Sequence, residues 1–128
     1  MDIICSVFLI DGKKILLQHR DNFKFLRRPN YWVPPGGKKK NYENNVSCAK
    51  REFFEETGYK IKNLYFFYEG IERSLGWPIN KIIVYKSIYD RKQKISCYEG
   101  QNMKFVNFKE HKKLLIPKNI LKILKKAF

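Results

Sequence analysis

A mixed α/β domain, with helices packed against a curved or mixed sheet, is what this sequence predicts, and three observations predict it. Strand-like apolar runs outnumber helical ones, one helical stretch interrupts them at 44–57, and an amphipathic helix follows the last strand. The length of 128 residues fits a single domain, 1–128, because domains of roughly 100 to 200 residues are usual. Apolar residues at 44% and aromatics at 16% supply a core that excludes a disordered chain despite 30% charge.

Each element has a local reason. Ile3 to Ile10 and Lys14 to His19 are apolar runs joined by Asp11-Gly12, a dipeptide that supplies the positive φ angles of a tight hairpin. The first run is too short for a membrane span and wrongly flanked for a signal peptide, so it reads as a strand. Residues 20–30 are polar and basic, a loop. Tyr31-Trp32-Val33 is a short strand stopped by Pro34-Pro35-Gly36-Gly37, which should not continue a ladder. Asn44 to Thr57 follows a helical period, with Val46, Ala49 and Phe53 expected to meet the core and Gly58 at the position after the last turn. Strands follow over 61–70, 81–89 and 104–108, the first two separated by a Gly76-Trp77-Pro78 turn. Residues 117–128 form the closing helix, with Pro117 near its first turn and Ile120, Leu121, Leu124 and Phe128 on one face.

Lys and Arg number 27 against 12 acids, a net charge of +15 that points to an anionic partner such as a nucleotide, nucleic acid or membrane surface. The lysines are scattered in short clusters along the chain, and the richness in Lys, Ile and Asn is also what A/T-rich codons specify, so a generally basic surface competes with a dedicated nucleic-acid face. Three cysteines without a Cys-x-x-Cys pair argue against a disulfide scaffold or zinc knuckle and fit a cytoplasmic setting.

Four of the twelve acids, Glu43, Glu52, Glu55 and Glu56, fall within fourteen residues after Gly36-Gly37. Positions 52, 55 and 56 are spaced i, i+3, i+4, which places three carboxylates on one helix face, away from the Val46/Ala49/Phe53 stripe. A solvated helix face would look the same. Clustered carboxylates are also what a hard divalent cation needs: oxygen ligands, negative charge and room for retained water, as Mg²⁺ prefers.

Residues 37–59, GKKKNYENNVSCAKREFFEETGY, carry Gly37, Glu43, Arg51-Glu52, Glu55-Glu56 and Gly58 at fixed spacing. The stretch resembles the Nudix box, signature of the Nudix hydrolases, at all seven fixed identities, a coincidence on the order of one in a million in so short a chain. Leu16 to Arg20, Trp32 with the Pro-Gly-Gly turn, and Glu99-Gly100-Gln101 followed by Phe105-Val106 resemble segments around the box, so the likeness spans nearly the whole chain. Lys40 stands where the family usually has an acid, and Phe53 and Tyr59 occupy the two loose aliphatic positions.

The resemblance implies a Nudix-type α/β/α sandwich and hydrolysis of a nucleoside diphosphate linked to X, by water attack at phosphorus. It implies Mg²⁺, with Mn²⁺ as an alternative, held by Glu52, Glu56, Glu55 and the Gly37 carbonyl. Arg51 would keep the carboxylates in register through Glu43, Glu52 or Glu99 would accept the water proton, and Gly37, Glu43 and Gly58 would shape the motif. Arg20 is a candidate phosphate contact, Trp32 a stacking surface or core residue, and Asn119 resembles the position that reads guanine in MutT-type enzymes. His19 and His111 have no partner at a telling spacing and read as structural or surface residues. The expected substrate is a canonical or oxidised (d)NTP, cleaved to monophosphate and pyrophosphate. A nucleotide sugar, a dinucleotide or an RNA 5′-triphosphate is the alternative, and a non-enzymatic Nudix-like binding domain a third reading. No membrane partner is expected, and the chain would act as a monomer or homodimer.

Overall fold

The computed structural model describes residues 1–128. Seven strands form one mixed sheet: β1 (Asp2–Asp11), β2 (Lys14–His19), β3 (Trp32–Val33), β4 (Gly36–Lys38), β5 (Tyr65–Glu72), β6 (Asn80–Ile88) and β7 (Asn102–Asn107). Helix α1 (Asn45–Thr57) lies between β4 and β5, and α2 (Lys118–Ala127) closes the chain after a 3₁₀ turn at Glu110–Lys113. The central order is β3-β2-β1-β6-β5, with β4 paired to β1 and β7 to β2. Only β1 and β6 run parallel; the other pairings are antiparallel.

Alternation along the strands makes two cores, one per face. Cys5, Val7, Leu9, Leu16, Ile83 and Tyr85 pack with Cys48, Ala49 and Phe53 of α1. Their sequence neighbours Phe8, Ile15, Leu17, Ile82 and Val84 pack with Ile120, Ile123 and Leu124 of α2. The outcome is the expected helix–sheet–helix sandwich.

β1 divides one edge between two partners. Ile4, Cys5 and Ser6 face Lys38, Gly37 and Gly36 of β4, whereas Ile10 and Asp11 face Ile15 and Lys14 of β2. Between the two ladders the Val7 amide donates to the Pro35 carbonyl, 3.1 Å away. The two glycines after Pro34-Pro35 therefore do enter a ladder, contrary to the expectation of a stop. The prolines stay outside it, and glycine is required at 36 because a Cβ there would collide with the Cys5 carbonyl and Ser6.

Helix α1 begins where its sequence says it should: the Asn44 side chain accepts a hydrogen bond from the Ser47 amide at 2.8 Å. It ends at Gly58, whose φ of 75° is left-handed and whose amide donates to the Phe54 carbonyl. Asn44→Ala is expected to lower stability by about 1 kcal/mol in urea denaturation, with activity unchanged.

Three expectations need correction. Val46 is 40% exposed, and the buried face of α1 is Cys48, Ala49, Phe53, Glu56 and Thr57; the face is rotated from the Val46 stripe because a carboxylate occupies one of its core-side positions. β5 begins at Tyr65 rather than near 61, since Ile61 is buried in the α1-side core before the chain joins the ladder. On α2 it is Ile123, with Ile120 and Leu124, that is buried; Phe128 remains 37% exposed. Of the two readings open for His111, the structural one holds: it is buried within the 3₁₀ turn against Phe108.

Candidate active site

The three helix carboxylates do not share one outward face as their spacing suggested. Glu56 is buried, its Oε2 accepting the Gly36 amide at 2.8 Å and its Oε1 lying 3.4 Å from Gln18 Nε2. Glu52 lies against Gly37, so closely that a Cβ on that residue would fall on its carboxyl group. Glu55 points to the solvent side, its side chain about half exposed. The helix thus turns two carboxylates toward the glycine strand β4 and leaves the third at the rim.

Arg51 organises this rim. Its Nε and Nη2 donate to the two oxygens of Glu43 at 2.9 and 2.7 Å, a bidentate pairing. Nη1 reaches Glu52 at 2.8 Å and Glu55 at 3.2 Å, and Nη2 also reaches the Lys38 carbonyl at 3.1 Å. Glu43 further accepts the Lys40 amide, so it ties the loop 38–43 to the helix. The position at 40 contributes a backbone amide here; its lysine side chain lies over the Tyr42 ring.

The Arg51 guanidinium holds the Glu43 carboxyl down at about 2, against an ordinary 4.5. A depressed carboxylate stabilises the fold above its unfolded value, and that contribution is lost as pH falls through the folded one. Glu43→Gln should therefore flatten the loss of stability between pH 4.5 and about 2, as read by thermal melts across that range. An unchanged acid limb would show that Glu43 is not the group responsible.

Glu56 shows the opposite behaviour. Burial first, then the neighbouring Glu99 carboxyl and Glu52, push it up to about 10. Burial likewise raises Glu52, with Arg51 opposing it. Glu99 comes from the segment 95–101, which is pinned by Ser96 and Tyr98 amides to the Thr57 and Glu56 carbonyls and by the Gln101 amide to the His19 carbonyl. Gly100 makes this approach with φ of 85°, where a Cβ would meet the His19 carbonyl.

Gln18 is the residue that sequence reasoning missed. It is buried, and its amide bridges Glu56 and the Glu99 carbonyl, the latter at 3.0 Å. The available signal was a polar residue directly after the apolar run Ile15–Leu17. All the donors gathered here are oxygens, and three carboxyl groups crowd where one is already pushed toward its neutral form, which is the chemistry that suits a hard divalent cation. The carboxylates do not close into a three-ligand cage by themselves, because Glu52 and Glu55 both turn to Arg51. A cation that keeps most of its waters requires only one or two of them. The Gly37 carbonyl faces Cys48 Sγ at 3.6 Å.

Beside this centre, in the opening between β2 and β4, lies a cleft of about 190 Å³. Arg20, Arg27 and Arg28 line it together with Glu72 and Asn80. Arg27 and Arg28 approach Glu72 at 3.2 and 3.0 Å. Yet Arg20 Nε and Arg27 Nε are buried without an acceptor, donors that are costly to leave unmade unless a ligand completes them. Arg27 Nη2 also lacks an aligned acceptor, despite lying near Glu72.

The remaining candidates lie at the periphery. Asn119 accepts from Arg28 Nη1 at 2.9 Å and donates to Glu72 at 3.2 Å, holding the arginine wall from behind. Trp32 stacks on His19 with ring centres 4.5 Å apart and packs against the α2-side core. The site therefore joins Glu52, Glu56, Glu99, Gly37 and Arg51 at one centre with Arg20 at its side, and leaves Trp32 and Asn119 outside.

Residues 3–120 match the family model of the NUDIX domain. A curated 8-oxo-dGTP diphosphatase of Buchnera aphidicola is 39% identical over 59 residues, which are 46% of this chain and 44% of that protein. The chain thus spans less than half the length of that relative. Among solved structures, a MutT NUDIX hydrolase from Burkholderia pseudomallei superposes with a TM-score of 0.84 at 16% identity, covering 99% of this chain and 98% of that one. A MutT protein from Methanosarcina mazei gives 0.84 at 19% identity, over 98% and 91%. At these identities the two structures establish the fold. No helix is long and apolar enough to cross a membrane.

Proposed function

Since this chain belongs to the NUDIX domain family, we propose that it is a divalent-metal-dependent hydrolase of nucleoside diphosphates linked to X, and that its substrate is a nucleoside triphosphate, canonical or oxidised. The observation that carries this reading is the junction of two environments: a carboxylate cluster against Gly36-Gly37, and beside it a cleft whose buried guanidinium donors have no acceptor. A polyphosphate is the ligand that answers both. The partial likeness to an 8-oxo-dGTP diphosphatase makes oxidised purine triphosphates the first to test.

Water attacks a phosphorus atom, the new P–O bond forms as the bridging P–O bond breaks, and pyrophosphate leaves with the electron pair. Glu52 and Glu56 would hold the cation, Mg²⁺ or Mn²⁺, with Glu55 and the Gly37 carbonyl within its surroundings. When bound, it neutralises charge on the phosphate oxygens. Arg51 keeps Glu52 in place and anchors the helix to the loop through Glu43. Arg20, and with it Arg27, offers N–H donors to the phosphates. Gln18 fixes the distance between α1 and the Glu99 segment.

Glu52 is tied to Arg51, whereas Glu99 is exposed, so Glu99 is the better placed to accept the water proton. Glu99→Gln should lower kcat by about a hundredfold; retention of most of the turnover would return the role to Glu52.

The reading is tested by pyrophosphate and orthophosphate release from canonical and oxidised nucleoside triphosphates, nucleotide sugars, dinucleotides and 5′-triphosphate RNA, with Mg²⁺ or Mn²⁺ and with EDTA. EDTA-sensitive pyrophosphate release from triphosphates is expected. Release confined to another class would move X to that class, and inactivity across the panel would favour a binding domain.

A further inference from the structure

Along the outer side of α2 runs a second cavity, about 670 Å³, with walls of a single sign. Lys118, Lys122 and Lys126 supply one wall and Arg28 and Arg73 the other, while Tyr68 and Ile71 of β5 contribute its apolar part. None of its lining residues is acidic. Of the acids on β5, Glu69 is paired with Lys81, and Glu72 lies behind the wall, where it pairs with Arg28 and Asn119, so Arg73 and the three lysines are the lining cations with no acidic partner.

Two features set this groove apart from the general lysine surplus. First, the lysines are spaced i, i+4, i+8 on a helix that contains no acid, so like charges face each other along one stripe without the alternating partners that ordinarily support a solvated helix. They recur about every 6 Å along the axis, a step comparable to the separation of neighbouring phosphates in an extended strand. Second, Arg28 is the wall shared by this groove and the arginine cleft, held there by Glu72, Asn119 and Ser74, so the two cavities adjoin. The cleft alone, at about 190 Å³, falls below the roughly 300 to 1,000 Å³ of ordinary ligand pockets, so a ligand held there extends beyond it.

We propose that the groove between α2 and β5 is a binding track for the backbone of a single-stranded polynucleotide, adjoining the arginine cleft at Arg28. Lys118, Lys122 and Lys126 contact successive phosphates. Tyr68 lies beneath Lys126 Nζ at 5.5 Å and belongs to the apolar side of the track. A cationic groove that follows the backbone holds a strand without base-specific hydrogen bonds. The track rests on the proposed function only in taking the arginine cleft to receive phosphate.

The test is fluorescence anisotropy of the full chain with a labelled single-stranded RNA bearing a 5′-triphosphate, titrated with salt in EDTA so that no turnover intervenes. Lys118→Gln/Lys122→Gln/Lys126→Gln removes charge while retaining polarity and helix propensity. It should weaken binding at least tenfold and reduce the slope of log K against log salt by about two, near 0.7 per lysine. Lys60→Gln/Lys62→Gln/Lys92→Gln, which removes equal charge around a cavity that no residue of α2 lines, should leave both nearly unchanged. Equal losses in the two variants would assign binding to diffuse charge and overturn the track. No binding by the parent, or unaltered binding in the α2 variant, would do the same. Pyrophosphate release from free nucleoside triphosphates should persist in the α2 variant and shows separately whether the hydrolase reading stands.

Discussion

Glu52→Gln and Glu56→Gln are each expected to lower turnover by at least about a hundredfold, equivalent to about 2.7 kcal/mol of transition-state stabilisation, while the protein remains folded. The separation of the two effects follows from where these groups sit. Glu56 is buried and its carboxyl is pushed up to about 10, by burial above all and then by Glu99 and Glu52. Without a cation, an acid whose folded value is raised favours the fold below its unfolded value, and that contribution declines as pH rises toward the folded value. Glutamine reproduces the neutral form, keeps an oxygen for the Gly36 amide, and abolishes that decline. Glu56→Gln should therefore melt no lower than the parent in EDTA at neutral pH, and higher in alkali, although it is inactive. The paired readout is turnover with Mg²⁺ and melting temperature with EDTA. Retained activity in both variants would remove the carboxylates from the metal site.

The adjacent glycines should respond differently to the same methyl group. At Gly37 an added Cβ falls on the Glu52 carboxyl, the mobile end of a side chain that can swing aside. Gly37→Ala should keep most of its stability and lose about a hundredfold in kcat, because a displacement on the order of 1 Å at a reacting centre has that effect. At Gly36 the same Cβ meets the Cys5 carbonyl and the Ser6 backbone, which cannot move without opening the β1–β4 ladder. Gly36→Ala should therefore unfold at a lower temperature. If Gly37→Ala proves as unstable as Gly36→Ala, its inactivity says nothing about the position of Glu52.

What the sequence disclosed, it disclosed through local spacing. The interval from Gly37 to Gly58 picks out α1 and the loop before it because every member lies within one supersecondary unit, and Asn44 and Gly58 mark the ends of α1 by chemistry that acts over a single turn. The inward turn of Glu56 was not legible. A carboxylate on the core side breaks the apolar period, and that period favoured Val46 instead. β4 was hidden for a related reason: Gly36 and Gly37 have no side chains to alternate. Gln18, Glu99 and the arginine wall meet only through tertiary structure. Arg28 takes φ of 54° and Asn30 φ of 66° in a loop with no repeating pattern, and their register against Glu72 and His19 comes from contacts 44 and 11 residues distant. The general reading of a basic surface likewise could not distinguish one lysine cluster from another until α2 was laid beside β5.

The division of β1 between two partners makes the sheet a fork whose tines are β2 and β4. The aperture between them is fixed by peptide hydrogen bonds on both sides, and β1 is backed along nine residue pairs by β6. Side chains around the rim can therefore be exchanged without changing the width of the opening. A one-residue slip of the β1–β2 hairpin is another matter. It would carry Gln18 and Arg20 to the opposite face together, taking both away from the carboxylate centre and the cleft in a single step. In this frame the residues are replaceable and the register is not.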